Sequence, residues 1–182
     1  MDSYFAVTAP GLEPFAGQEL HALGLLPGPV TDPDSSLEGS TSVISPQSAG
    51  GVTFKGDLSV LYRANLHLRT ASRLLARLGN FFSATTFPEL QKRASRLPWE
   101  RFLKPGQPVS LRVTCHKSKL YHSDDVARAV AAALAERMGQ PSPVQAADEE
   151  SGDPPQLVVV RLAEDKCTVS VDSSGVGLHK RG

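Results

Sequence analysis

The stretch TCHKSKLYHSDDVARAV, residues 114–130, gathers one cysteine, two histidines, two lysines, a tyrosine and two aspartates into a turn-like segment. Three chemistries could use it. Cys115, His116 and His122 could supply three ligands to a metal, but a closed structural zinc site takes four N or S ligands at a recognised spacing. No fourth ligand follows nearby. Cys115 could act as a nucleophile if a base and electropositive, partly exposed surroundings accompanied it. Any of the five histidines could fold beside it, and no spacing designates one. The third chemistry is a basic rim. His116, Lys117, Lys119 and His122 would follow a strand and precede a helix, next to unpaired N–H groups that favour anions, and lysines attract phosphate at longer reach. Tyr121 could stack on a base or pack on a sheet. Asp124 and Asp125 weigh against a phosphate cradle, because they would already occupy the helix's positive end. A solvated polar loop fits the same spacing equally well.

The elements that would position these residues follow from periodicity. PVSLRVTCH (108–116) alternates Val109, Leu111, Val113 and Cys115 against Ser110, Arg112 and Thr114, as a half-buried strand does. Cys115 is therefore expected in the core, pointing away from His116. Ser123 is expected to cap a helix whose first turn holds Asp124 and Asp125. Val126, Val130, Leu134 and Met138 then recur every four residues as its core-facing stripe. QLVVVRLAEDKCTVSVDSS (156–174) is predicted to be a hairpin turning at 164–166. Between these, 139–155 is a polar, acidic connector.

Upstream, TTFPELQKRASRLPWERFL (85–103) is predicted to be a helix followed by a turn or a second short helix, since Pro98 interrupts it. Lys92, Arg93 and Arg96 on that helix, then Arg101 and Lys104, extend the basic rim. Charges on one helix are usually its wet face. The wider balance favours more than that. Net charge is zero, yet residues 55–128 carry fourteen Lys and Arg against five Asp and Glu, while the remainder carries five against fourteen. Such asymmetry points to a polyanionic partner.

The first eighty residues read as strand (3–9), helix (from Leu12, with Phe15, Leu20 and Leu23 near helical spacing), strand (50–56), helix capped by Asp57 (with Leu58, Leu61, Asn65 and Leu68 on one face) and strand (within 71–81). Residues 26–49 are rich in Pro, Ser, Gly and Asp, an insert with room for a short strand near Val30 or Val43. The order fits a ferredoxin-like βαββαβ unit. Right-handed crossovers would put both helices on one sheet face. The alternation restarts after a division near 82, so the expected class is α/β (α+β) with domains 1–82 and 83–178.

Two cysteines, Cys115 and Cys167, are too few for a disulfide framework and suit a reducing compartment. The start lacks a basic region and a sustained apolar run, so no signal peptide is expected. No window approaches the roughly 18 apolar residues of a membrane span. A cytoplasmic, monomeric protein without membrane contact is the expectation. Rossmann and P-loop glycine patterns, paired carboxylates and a Ser-His-Asp set are all missing, so no catalytic residue and no metal are assigned.

The segments FAVTAPGLEPFAGQELHALG, GGVTFKGDLSVLYRANLHLRTASRLLARLGNF, KLYHSDDVARAVAAAL and VSVDSSGVGLHKRG occur in that order. The chain carrying them resembles the N-terminal part of the THUMP-containing RNA guanine-N2 methyltransferases. The resemblance implies a ferredoxin-like domain followed by a THUMP domain that binds structured rRNA or tRNA rather than DNA. It further implies that residues 179–182 begin the link to a C-terminal domain using S-adenosylmethionine, a cofactor this chain would not hold itself. The insert 30–49 and the acidic connector depart from the family pattern. The alternative from a different class is a ferredoxin-like protein-interaction or small-ligand regulatory domain.

Overall fold

The computed structural model describes residues 1–26, 50–145, 154–175 and 177–178. They divide into two compact units, the first comprising residues up to Leu75 together with 177–178 and the second running from Ala76 to Gly175. The expected strand in the insert lies outside the described residues.

The first unit contains β1 (Asp2–Thr8), α1 (Glu13–Ala22), β2 (Gly51–Gly56), α2 (Leu58–His67) and most of β3 (Ala71–Arg77), in strand order β2-β1-β3. β1 and β2 are antiparallel, with Tyr4 opposite Phe54 and Ala6 opposite Val52. Their inward residues form the core, and the Tyr4 and Phe54 rings lie 5.4 Å apart. Asp57 caps α2 as expected, accepting from the Val60 N–H. The helix faces differ from the spacing-based expectation. α1 buries Ala16, Gly17 and Leu20, leaving Leu12 and Phe15 exposed, and α2 buries Leu61 and Ala64 while Leu58 is exposed. Leu20, Leu61 and Leu68 are buried as expected, and the small residues beside them let each helix approach closely, so that Leu12, Phe15 and Leu58 are left outside. The Glu19 carboxylate ties α1 to the α2–β3 turn, accepting from the N–H groups of Arg69 and Thr70 and from the Thr70 hydroxyl.

The second unit is a two-layer α/β structure. Its strands are β4 (Phe82–Ser83), β5 (Val109–His116), β6 (Gln156–Ala163) and β7 (Lys166–Asp172), and its helices are α3 (Phe87–Ala94) and α4 (Ser123–Met138). β5 runs parallel to β6, β6 pairs antiparallel with β7, and β4 pairs with β7. One sheet face presents Val109, Val158, Val160, Leu162, Cys167, Val169 and Val171. Leu90 and Ala94 of α3 and Val126, Val130, Ala133 and Leu134 of α4 cover it. Each fully buried Val or Leu in this layer contributes about 1.5–3 kcal/mol. Met138 packs at the end of the expected stripe, partly buried.

α3 ends at Ala94, earlier than Pro98 alone requires. Fully buried Trp99 donates its indole N–H to the Ala94 carbonyl at 2.8 Å, closing the helix end, and Trp99–Arg101 form a single 3-10 turn. α4 ends where Gly139 takes a left-handed conformation (φ 76°) and donates to the Ala135 carbonyl. This is the usual glycine termination.

Candidate nucleic-acid interface

The segment between β5 and α4 is built on the β6–β7 turn. Glu164 and Asp165, with φ of 52° and 61°, form the two-residue turn. Positive φ at both centres matches the twist of the strands it joins. The Glu164 N–H donates to the His116 carbonyl at 3.1 Å, and the Asp165 N–H donates to the Ser118 hydroxyl at 3.0 Å. The Lys119 N–H donates to the Asp165 carboxylate at 2.7 Å. The Ala84 N–H also reaches the Asp165 carbonyl at 2.9 Å. Asp165 thus fixes the path of 116–119 from 46 positions away, and no local pattern in the sequence identifies it. Lys117 is left-handed (φ 48°), so the chain reverses there with the Lys117 and Lys119 side chains exposed.

Beyond this brace, Leu120 is buried and anchors the entrance to α4. Tyr121 and His122 are exposed, their rings 4.1 Å apart and inclined at 42°. Ser123 does not cap the helix. His122 takes the cap position without a side-chain bond, its carbonyl accepts from the Val126 N–H, and Ser123 becomes the first helical residue. Buried Leu120 and the Tyr121–His122 ring contact set the entry one residue earlier than a serine cap requires. Asp124 and Asp125 stand in the first turn as expected, with Asp125 ion-paired to Arg128.

Cys115 follows the predicted alternation but is only half-buried, because β5 ends the strand order. The fully buried thiol is Cys167, separated from Cys115 by Leu162 along one register row. Burial pushes both thiols up. Cys167 reaches about 12, through burial first and the neighbouring Cys115 charge second. Protonated thiols are poor nucleophiles and poor metal ligands. Among the described residues no three His, Cys, Asp or Glu side chains are grouped to hold a metal ion.

The ten basic-rim residues are all exposed, but they do not form one cluster. His116, Lys117, Lys119, Tyr121 and His122 stand at the N-terminal end of α4. Arg101 and Lys104 stand at its other end, where Glu100 is bonded to Arg137 at 2.6 Å and Gly106 meets the Gln140 side chain. At 1.5 Å per residue the 16-residue helix separates the two groups by about 24 Å. Lys92 and Arg93 occupy the last turn of α3, and Arg96 follows it toward Trp99. Arg93 is paired with Glu89 at 3.1 Å, and the Arg101 guanidinium lies 5.9 Å from the centre of the Phe102 ring.

The second unit is thus a sheet covered by two helices on one face, with exposed basic groups at both ends of the longer helix. Comparison with known proteins gives that module its family. Residues 84–172 match the THUMP domain, and residues 36–75 match the RlmL ferredoxin-like domain. The chain therefore carries a ferredoxin-like domain and a THUMP RNA-binding module, and homologues over most of its length are named as RNA methyltransferases. The ribosomal RNA large subunit methyltransferase K/L of Cellvibrio japonicus is 31% identical over 179 residues, covering 98% of this chain and 21% of that protein. A crystal structure from Listeria monocytogenes, described as a predicted N6-adenine-specific DNA methylase, is 32% identical with a TM-score of 0.73, covering 100% of this chain and 42% of that one. SMU.472, described as "a putative methyltransferase" and solved complexed with SAH, is 27% identical with a TM-score of 0.73, covering 100% of this chain and 44% of that one. The chain thus spans less than half the length of each. Among the described residues, no helix is long and apolar enough to cross a membrane.

Proposed function

We propose that this chain is the RNA-recognition part of an S-adenosylmethionine-dependent RNA guanine-N2 methyltransferase, binding structured rRNA or tRNA. In this reading residues 1–82 are the ferredoxin-like domain, 83–178 the THUMP domain, and 179–182 the start of a link to the catalytic domain of a cytoplasmic, monomeric enzyme. One observation carries it: the THUMP match coincides with the unit whose exposed cations stand at both ends of α4. Homologues named as rRNA methyltransferases and an SAH-bound neighbour support the reaction class.

When bound in such enzymes, S-adenosylmethionine supplies the methyl group. Among the described residues, those between β5 and α4 do not fit that cofactor. The strand-to-helix turn 117–122 contains no glycine to admit it closely, and Asp124 and Asp125 already occupy the following helix end. The chain's own part is to bind and orient RNA. His116, Lys117, Lys119 and His122 would contact backbone phosphate, Tyr121 would stack on a base, and Lys92, Arg93, Arg96, Arg101 and Lys104 would extend the contact along the helices.

The test is a titration against structured rRNA and tRNA fragments at two salt concentrations. Lys117→Ala together with Lys119→Ala should weaken binding to every RNA and lower the salt slope by roughly 1.4–1.8, two phosphate contacts' worth. Unchanged affinity would remove both residues from the interface. A second reading, a protein-interaction role for the first unit, is favoured by Leu58, Tyr62 and Leu66, which recur at every fourth position of α2 and are all exposed. It predicts self-association or partner binding that charge reversal at 117 and 119 leaves untouched.

A further inference from the structure

The sheet face of the second unit turned away from α3 and α4 is also basic. In β7 the core takes Cys167, Val169 and Val171, so Lys166, Thr168 and Ser170 face the other way. The same alternation puts Val159, Arg161 and Ala163 of β6 and Arg112, Thr114 and His116 of β5 on that face. The strand register aligns three rows: Arg112–Val159–Ser170, Thr114–Arg161–Thr168 and His116–Ala163–Lys166. One end of the face is closed, since Ser110, Leu157, Ser170 and Asp172 are buried. At the other end Arg112, Thr114, His116, Arg161 and Lys166 are exposed.

Within these rows the cations form a diagonal, Arg112 to Arg161 to Lys166, each one strand over and two residues along. From strand spacing and rise, successive Cα atoms are about 8 Å apart. An aromatic ring ends the diagonal. Phe82 packs on the core, whereas Phe81 is 63% exposed, and the Lys166 ammonium lies 5.7 Å from the Phe81 ring centre. Arg77 adds a half-buried charge beside Arg161; burial first, and the Arg161 charge second, make the Arg77 proton easier to lose. The three rows contain no carboxylate. Glu164 and Asp165 stand just beyond them, in the turn after Ala163, where the Asp165 carboxylate already accepts from the Lys119 N–H.

We propose that this open sheet face binds a single-stranded RNA segment, with Arg112, Arg161 and Lys166 contacting successive backbone phosphates and Phe81 stacking on an unpaired base. The inference rests on the RNA-binding reading above but uses other side chains than the α4 rim, with His116 at the border of the two. The open face is a strand surface with no helix on it to enter a duplex groove. It offers a stacking ring and a positive track, the combination by which sheet surfaces hold unpaired bases.

The experiment uses the whole chain, a short mixed-sequence single-stranded RNA and a fully paired RNA of equal length, each titrated over a range of salt. Arg112→Gln with Arg161→Gln should reduce the single-strand salt slope by about 1.4, and Arg112→Lys with Arg161→Lys should restore it. Phe81→Ala should weaken single-strand binding at least about fivefold and leave duplex binding unchanged. All these side chains are exposed, so the melting temperature should hold. The Lys117/Lys119 variant separates the two surfaces. If it loses binding while the Arg112/Arg161 and Phe81 variants bind like the parent, the open-face proposal is overturned and the α4 rim stands. If the parent chain binds neither RNA, the RNA reading falls and this proposal with it.

Discussion

Replacing Asp165 tests how the basic segment is held. Two contributions are separable at this residue. Its φ of 61° lies in the left-handed region, which Asp tolerates and which costs other L-residues about 1–2 kcal/mol. Its carboxylate accepts from the Lys119 N–H at 2.7 Å. A bond to a charged acceptor is worth about 1.5–3 kcal/mol when well shielded, and about 1 kcal/mol is reasonable for this exposed one. Asp165→Ala loses the bond and most of the conformational tolerance, so it should cost about 2 kcal/mol. That corresponds to a fall of roughly 8–16 °C in the melting temperature of a domain this size. Asp165→Gly keeps the conformation and loses only the bond, for about 1 kcal/mol. Asp165→Asn keeps a tolerated conformation and an acceptor oxygen, so it should cost under about 1 kcal/mol. Amide exchange at Lys119 gives the local readout: faster in the Ala and Gly variants and near parental in Asn. Equal losses in Ala and Gly would show that the turn conformation carries no cost. Parental Lys119 exchange in all three would show that Asp165 does not hold the segment at all.

Two further predictions concern groups whose protonation is shifted. Burial raises both thiols, and Cys167 to about 12; at neutral pH in native protein a thiol reagent should therefore label Cys115 slowly and Cys167 only on unfolding. Rapid labelling of both would contradict the packing around Leu162. Glu89 is held below its ordinary value of 4.5, first by the Thr85 N–H and then by the Arg93 charge. A carboxyl depressed in the folded state stabilises above its unfolded pKa and loses that contribution as pH falls through the folded one. Glu89→Gln should flatten the decline of melting temperature below about pH 4.5, whereas a constant offset at every pH would remove Glu89 from the acid response.

The parts of the fold legible in sequence are those whose signal is local. The alternation of 108–116, the Asp57 cap and the 164–166 hairpin turn all survive in the structure, because each depends on residues within one element. Helix faces were less legible. Leu20, Leu61 and Leu68 of the expected stripes are buried, but Leu12, Phe15 and Leu58 at the same spacing are exposed, and Ala16, Gly17 and Ala64 are buried beside them. Apolar spacing identifies a helix and part of its buried face, but it does not fix where that face ends, because small residues such as Ala16 and Ala64 widen it. Cys115 shows the same limit: its face was readable, its depth was not, because depth depends on which strand ends the order.

The candidate surfaces follow this rule in a sharper form. Proximity in sequence grouped Arg101 and Lys104 with Lys117 and Lys119, and the length of α4 separates them. Proximity could not join Arg112 to Arg161 and Lys166, which are dozens of residues apart and meet only through the β5–β6 and β6–β7 registers. A shift of one residue in either register would turn Arg161 or Lys166 toward the helices, because side chains alternate with period two. The apolar residues flanking Arg161 forbid that shift: Val160 and Leu162 are fully buried, and exposing both would cost several kcal/mol. The apolar core of the second unit therefore fixes the diagonal of charge on its opposite face, so that core variants which loosen the β6 register should weaken single-strand binding without touching a basic residue.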